Sequence, residues 1–101
     1  MSKPIAIDTS EKIDVTIRTS SDPTGALPEF AVGEGTSPSG FVAGSWAGAW
    51  DATSGEIQAV TPLVGLGQVL DLTQRGTWRL WAKWTVDLED PVRLVEVYQV
   101  V

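Results

Sequence analysis

Apolar and polar residues alternate with a period of two along much of this chain, most clearly near its carboxyl end. In the segment GTWRLWAKWTV a helix would divide the tryptophans between opposite sides, whereas a strand gathers most apolar side chains on one face. The pattern therefore predicts a β-strand over 77–86. Its apolar face holds Trp78, Leu80, Ala82, Trp84 and Val86, and its other face holds Arg79, Trp81, Lys83, Thr85 and Asp87.

The final segment, PVRLVEVYQVV, is rich in β-branched residues and predicts a second strand. The acidic segment DLEDP precedes it and is typical of a turn. We therefore expect an antiparallel hairpin that joins residues 77–86 to residues 92–101. Two registers, one residue apart, are open: one pairs Val86 with Val92, and the other pairs Lys83 with Glu96.

Both faces of this last strand are apolar. Val92, Leu94 and Tyr98 share one face, and Val95 and Val97 share the other. A strand of this kind needs cover on both sides, either from the rest of the fold or from a neighbouring chain.

Further strands are predicted upstream by the same alternation in KIDVTIR and in GFVAGSWAGAW, where glycines between large rings indicate a close approach by another backbone. Weaker candidates lie at 5–7, 30–32, 57–61 and 69–72, with Gly-, Ser- and Pro-rich loops between them. The chain is expected to be all-β, a single domain over residues 1–101. We expect an antiparallel, immunoglobulin-like β-sandwich of six to eight short strands, with a small β-barrel as the alternative.

Composition excludes several classes of function. The net charge of −6 and the lack of a basic patch argue against a nucleic-acid partner. The chain has no cysteine, so no disulfide or thiolate metal site is expected. The first residues lack the apolar run of a signal peptide, and no apolar stretch approaches the ~18 residues of a membrane span. We therefore expect synthesis in a cytoplasm and no membrane partner.

Candidate chemistry is sparse. The chain has no histidine, the usual general acid or base. The carboxylate pair Asp51 and Glu56 and the acidic loop of Asp87, Glu89 and Asp90 are the candidates for acid–base work and for calcium binding. The spacing of these carboxylates does not differ from that of ordinary charged residues in solvated loops, so it does not indicate a site. We expect no enzyme activity, no metal and no cofactor.

The five tryptophans are the main functional signal. The strand faces assign Trp78 and Trp84 to the core, and we expect Trp46 and Trp50 to fill the same core. Trp81 lies instead among basic side chains, either as a lid over a secondary cluster or as an anchor for another protein. The predicted partner-binding residues are Trp81, Arg79 and Lys83.

The terminal hairpin also resembles a known group of proteins. The residues that match are Gly76, Thr77, Trp78, Leu80, Trp81, Lys83, Glu89, Pro91 and Val92, with a looser match at Phe30, Ser45, Trp46 and Trp50. In this pattern the chain is similar to small β-sandwich proteins from the virion-structure genes of tailed phages that infect actinobacteria. It departs from that pattern where Lys83 and Trp84 replace a basic-plus-aliphatic pair.

The resemblance implies a structural protein of the virion with no catalytic residues. Such a protein would be made in the bacterial cytoplasm. Its partners would be other virion proteins in the capsid, connector or tail, and further copies of itself are also candidate partners. It could serve in capsid decoration, at the head–tail junction or in the tail. The alternative function is a glycan-binding module that uses exposed tryptophans.

Overall fold

The computed structural model describes residues 2–101, and within this range every regular element is a β-strand. The strands are β1 (Lys3–Ile5), β2 (Asp14–Arg18), β3 (Glu29–Gly33), β4 (Val42–Ala43), β5 (Ser45–Trp46), β6 (Glu56–Val60), β7 (Val64–Gly65), β8 (Leu70–Asp71), β9 (Gly76–Lys83) and β10 (Val92–Val100). The prediction of an all-β fold is confirmed. The described residues hold ten strands rather than six to eight, because several strands are only two residues long.

Three sheets are formed. A five-stranded sheet has the order β1-β10-β9-β3-β4, a three-stranded sheet the order β2-β6-β5, and β7 pairs with β8. Pairing is antiparallel except between β1 and β10 and between β7 and β8, where it is parallel. The expectation of purely antiparallel pairing is therefore wrong at these two places. Both exceptions involve very short strands whose neighbours no sequence pattern identifies.

The core lies on one side of the five-stranded sheet and receives side chains from all three sheets. Inward residues alternate with outward ones along β2, β6 and β9, as the period-two pattern predicts. The fully buried side chains include Phe30 on β3 and Leu80 on β9. Trp78 and Trp84 are buried in this core, and Trp46 and Trp50 pack against it while partly exposed.

The predicted terminal hairpin forms, but its first strand ends at Lys83 rather than Val86, and neither expected register is present. Val92 pairs with Lys83, three residues from the Val86–Val92 register. The reason is a tight turn at Asp87 and Leu88, whose φ angles are 51° and 64°. Positive φ at both central residues is typical of a two-residue type I′ hairpin turn, so the ladder continues through a Val86–Glu89 bridge almost to the tip.

A β-bulge in β10 decides which residues share a face. The register shifts between Leu94 and Glu96, so Val95 is the extra residue. Leu94 lies opposite Trp81, whereas Tyr98 lies opposite the buried Trp78. The prediction that Leu94 and Tyr98 share a face is therefore wrong, because a bulge shifts the alternation by one residue.

The segment GFVAGSWAGAW is not one strand. Its first part is β4, paired with β3, and its second part is β5, paired with β6 in the other sheet. The chain changes sheets at Gly44, where a Cβ atom would collide with the Val60 carbonyl oxygen and the Phe30 ring. The predicted close approach at a glycine is present, and its function is to let the strand cross between sheets.

Candidate functional site

The outer face is the side of the five-stranded sheet that points away from the core. Its centre is a row of three residues directly opposite each other on adjacent strands: Ala31 on β3, Trp81 on β9 and Leu94 on β10. Val97 lies beside Arg79 on the same face. Leu94 is 46% exposed, so this apolar row is open to solvent at its β10 end.

Ala31 indicates how the row is packed. It is only 1% exposed, yet it is absent from the core cluster. Trp81, directly opposite, is partly exposed and is the largest side chain beside it. The outer face therefore carries a second, small apolar cluster of its own. This position fits Trp81 as a lid over a secondary cluster, and its role as an anchor for another protein stays a prediction.

The indole N–H of Trp81 distinguishes this tryptophan from the other four. Trp46 donates to the Ala26 carbonyl, Trp50 to the Thr19 carbonyl, Trp78 to the Gln74 carbonyl and Trp84 to the Thr19 hydroxyl. The Trp81 Nε1 atom is shielded from solvent and has no acceptor within residues 2–101. An unpaired buried donor costs about 1–3 kcal/mol. Within the described residues, four indole N–H groups therefore have a hydrogen-bond acceptor and the fifth has none.

Arg79 and Lys83 flank Trp81 on the same strand, and both are held by contacts within the chain. Arg79 Nη1 donates to the Glu34 carbonyl oxygen at 2.8 Å. Lys83 Nζ lies 3.0 Å from a Glu29 carboxylate oxygen and 4.6 Å from the centre of the Phe41 ring. Lys83 thus makes its cation–π contact with Phe41. The two cations form a fixed, polar border on either side of the ring.

Three outer-face residues were not among the predicted partner-binding residues: Ala31, Leu94 and Val97. Leu94 and Val97 had been placed on opposite faces, since no sequence signal marks the bulge at Val95. Ala31 lies in a segment that the sequence predicts to be a strand. Because its neighbour β9 is far away in the sequence, the pattern of residues does not show that Ala31 lies beside Trp81.

The candidate carboxylates have local structural roles. The Asp51 carboxylate accepts the Thr53 backbone N–H, which lowers the pKa of that exposed carboxyl. Asp51 also forms a backbone bridge with Glu56, whose own carboxylate pairs with Arg18 at 2.9 Å. Within the described range, no three carboxylates come together in an arrangement that could hold a metal ion.

The acidic turn is likewise tied to its surroundings. Asp87 accepts the Ser21 hydroxyl at 3.2 Å, and Asp90 accepts the Thr85 hydroxyl at 2.6 Å. Asp22 accepts both the hydroxyl and the backbone N–H of Thr24, and these bonds lower the pKa of its carboxyl. These are the bonds of ordinary turn side chains.

Trp84 lines two clefts. The first, of about 410 Å³, is polar and is lined in part by Glu29, Lys83 and Asp90. The second, of about 280 Å³, lies between β2 and β10 and is lined in part by Arg18 and Arg93. The two clefts therefore differ in the charges that line them.

Comparison with protein-family models, with curated proteins and with solved structures gives no match to this chain. No helix long and apolar enough to cross a membrane occurs in the part of the chain described here. The features of this chain that bear on its function are therefore the outer face, the two clefts and the resemblance of the terminal hairpin.

Proposed function

We propose that this protein is a non-enzymatic structural component of a phage particle, built as an immunoglobulin-like β-sandwich, and that it binds another virion protein through the outer face. The resemblance of the terminal hairpin supports the phage assignment, and the observation that carries the choice of surface is Trp81, a partly exposed residue at the centre of an apolar row. Tryptophan and arginine are favoured in the cores of protein interfaces.

The surroundings of Trp81 suit such a contact. Leu94 and Val97 extend the apolar surface along β10, and Arg79 and Lys83 border it with fixed charges. A partner that covers the ring removes apolar surface from water, at about 25 cal/mol for each Å². On a symmetric particle many weak contacts act together, so a small flat face is sufficient for firm attachment.

The protein content of purified particles tests the assignment to a virion. Particles of a phage that carries this gene are analysed by mass spectrometry, and we expect the protein in stoichiometric amounts. Its absence from the particles would reject the assignment.

The role of the outer face is tested in the same particles by Trp81→Ser, with Val69→Ser as the matched control. Val69 is 61% exposed and lies between β7 and β8, outside the outer face. We expect Trp81→Ser to lower incorporation at least ~tenfold, while Val69→Ser is incorporated normally. Thermal unfolding of both variants checks that they fold. A folded Trp81→Ser protein incorporated at the wild-type level contradicts the outer-face proposal.

A second candidate function, glycan binding, is favoured by the polar 410 Å³ cleft, where Glu29, Lys83 and Asp90 carry groups that hydrogen bond with sugar hydroxyls. Because Trp84 lines this cleft, its fluorescence reports occupancy. Titration with a panel of cell-wall polysaccharides tests the idea. A saturable change that Asp90→Ala abolishes supports glycan binding, and an unchanged signal across the panel rejects it.

A further inference from the structure

The tip of the terminal hairpin carries a leucine where the local backbone does not favour one. Leu88 has a φ of 64° in a two-residue turn whose preferred residues are Asn and Gly. A branched apolar side chain is disfavoured in this left-handed region. The turn itself is well formed, since the Val86 and Glu89 backbones exchange two hydrogen bonds of 2.9 Å.

Burial does not compensate for this conformation. The relative exposure of Leu88 is 101%, whereas the other large exposed apolar residues reach at most 61%. The fold gains nothing from a leucine at this position, in conformation or in packing. Strained backbone of this kind clusters at functional sites, so Leu88 is a candidate contact for another molecule.

The charges beside Leu88 limit which surfaces can bind the tip of the hairpin. Three carboxylates, those of Asp87, Glu89 and Asp90, lie beside Leu88, and all three side chains are exposed. A receiving surface therefore needs an apolar recess of side-chain size with cations at its border.

The 280 Å³ cleft between β2 and β10 has both properties. Ile17, Trp84 and Val95 give it apolar lining, and Arg18 and Arg93 give it positive charge. Arg18 is paired with Glu56 at 2.9 Å, whereas Arg93 forms no ion pair within residues 2–101. The other cleft carries Glu29 and Asp90, which would repel the acidic tip.

We propose that the hairpin tip of one copy inserts Leu88 into the Arg93 cleft of a second copy, and that the second copy does the same in return. Trp84 and Arg93 line the cleft and lie close to the hairpin turn, so tip and cleft lie at the same end of the molecule. Two copies related by a two-fold axis can then make both contacts at once, which gives a closed dimer. The proposal does not depend on the phage assignment or on the Trp81 surface.

Sedimentation velocity of the purified protein across a wide concentration range tests self-association. We expect a monomer–dimer equilibrium that Leu88→Asn weakens by at least about tenfold. Asparagine suits the left-handed conformation, so at dilutions where both proteins are monomeric the variant should melt at the same temperature or higher. Val69→Asn is the matched control and should dimerise normally. A wild-type protein that stays monomeric throughout overturns the proposal, and so does a dimer that Leu88→Asn leaves unchanged.

A charge exchange tests the pairing of tip and cleft. Arg93→Glu places an acid in the cleft, and Glu89→Arg places a cation beside the tip. Each variant alone should dimerise at least about tenfold more weakly than the wild type. In a mixture, the altered cleft meets the altered tip and the native cleft meets the native tip, so heterodimers should form at near wild-type strength. Absence of this rescue in the mixture would refute the tip-and-cleft contact.

Discussion

The five indole groups illustrate how a single residue type takes different roles in one small fold. Four tryptophans donate their N–H groups to oxygen atoms of the chain, and these bonds join loops to the core. Trp81 has no such bond, although its Nε1 atom is shielded from solvent. An indole N–H that is shielded from solvent normally has an acceptor, and Trp81 is the exception among the five tryptophans.

The one tyrosine of the chain offers a pH-dependent test at the residue scale. Burial, together with the charges of Glu96 and Glu11, raises the pKa of Tyr98 above its ordinary value of about 10. We expect ultraviolet absorbance of the phenolate to report a midpoint above that of a free tyrosine. Glu96→Gln should move the midpoint back toward the ordinary value.

The sign of the stability effect follows from the same shift. Since folding favours the neutral phenol, the contribution of Tyr98 is fully present below about pH 10 and is lost as the pH rises through the folded-state pKa. Urea unfolding in alkaline buffers should show this loss in the wild type and not in Tyr98→Phe. Equal alkaline slopes for the two proteins would contradict the assignment.

At the scale of the elements, two irregularities determine the arrangement of the faces. The bulge at Val95 brings Leu94 beside Trp81 on the outer face and returns Tyr98 to the inner side. The crossing at Gly44 divides one apparent strand between two sheets. Each changes which side chains meet, and neither alters the hydrophobic pattern of the strands around it.

The crossing between sheets at Gly44 predicts that even a small substitution there lowers the stability of the fold. A methyl group at Gly44 meets the Val60 carbonyl and the Phe30 ring, so Gly44→Ala should lower the free energy of unfolding by about 1–3 kcal/mol. Gly33→Ala is the control, since a Cβ there meets no atom within 4 Å. Urea denaturation measures both. A Gly44→Ala protein as stable as Gly33→Ala would argue against the crossing geometry.

The whole molecule is held together by pairings between distant parts of the chain. β1 pairs with β10, at the two ends of the sequence, and β3 pairs with the central strand β9. Chains dominated by such non-local contacts fold slowly, because loop closure costs entropy before the contacts form. We expect stopped-flow tryptophan fluorescence to give refolding in milliseconds to seconds. Refolding within microseconds would be incompatible with this topology.

The sequence by itself determined the β character of the chain, the inner face of β9, the terminal hairpin and the position of Trp81 away from the core. These features depend on period-two alternation, which each strand carries locally. The partner-binding set of Trp81, Arg79 and Lys83 follows from the same local pattern, and its function stays a prediction.

Only the tertiary structure decided the register of the hairpin, the parallel pairing of β1 and the sheet change at Gly44. It also placed Ala31 and Leu94 beside Trp81 and left Leu88 fully exposed. The physical reason is that a turn with positive φ, a one-residue bulge or a strand crossing moves every later side chain, while the order of apolar and polar residues along the chain stays the same.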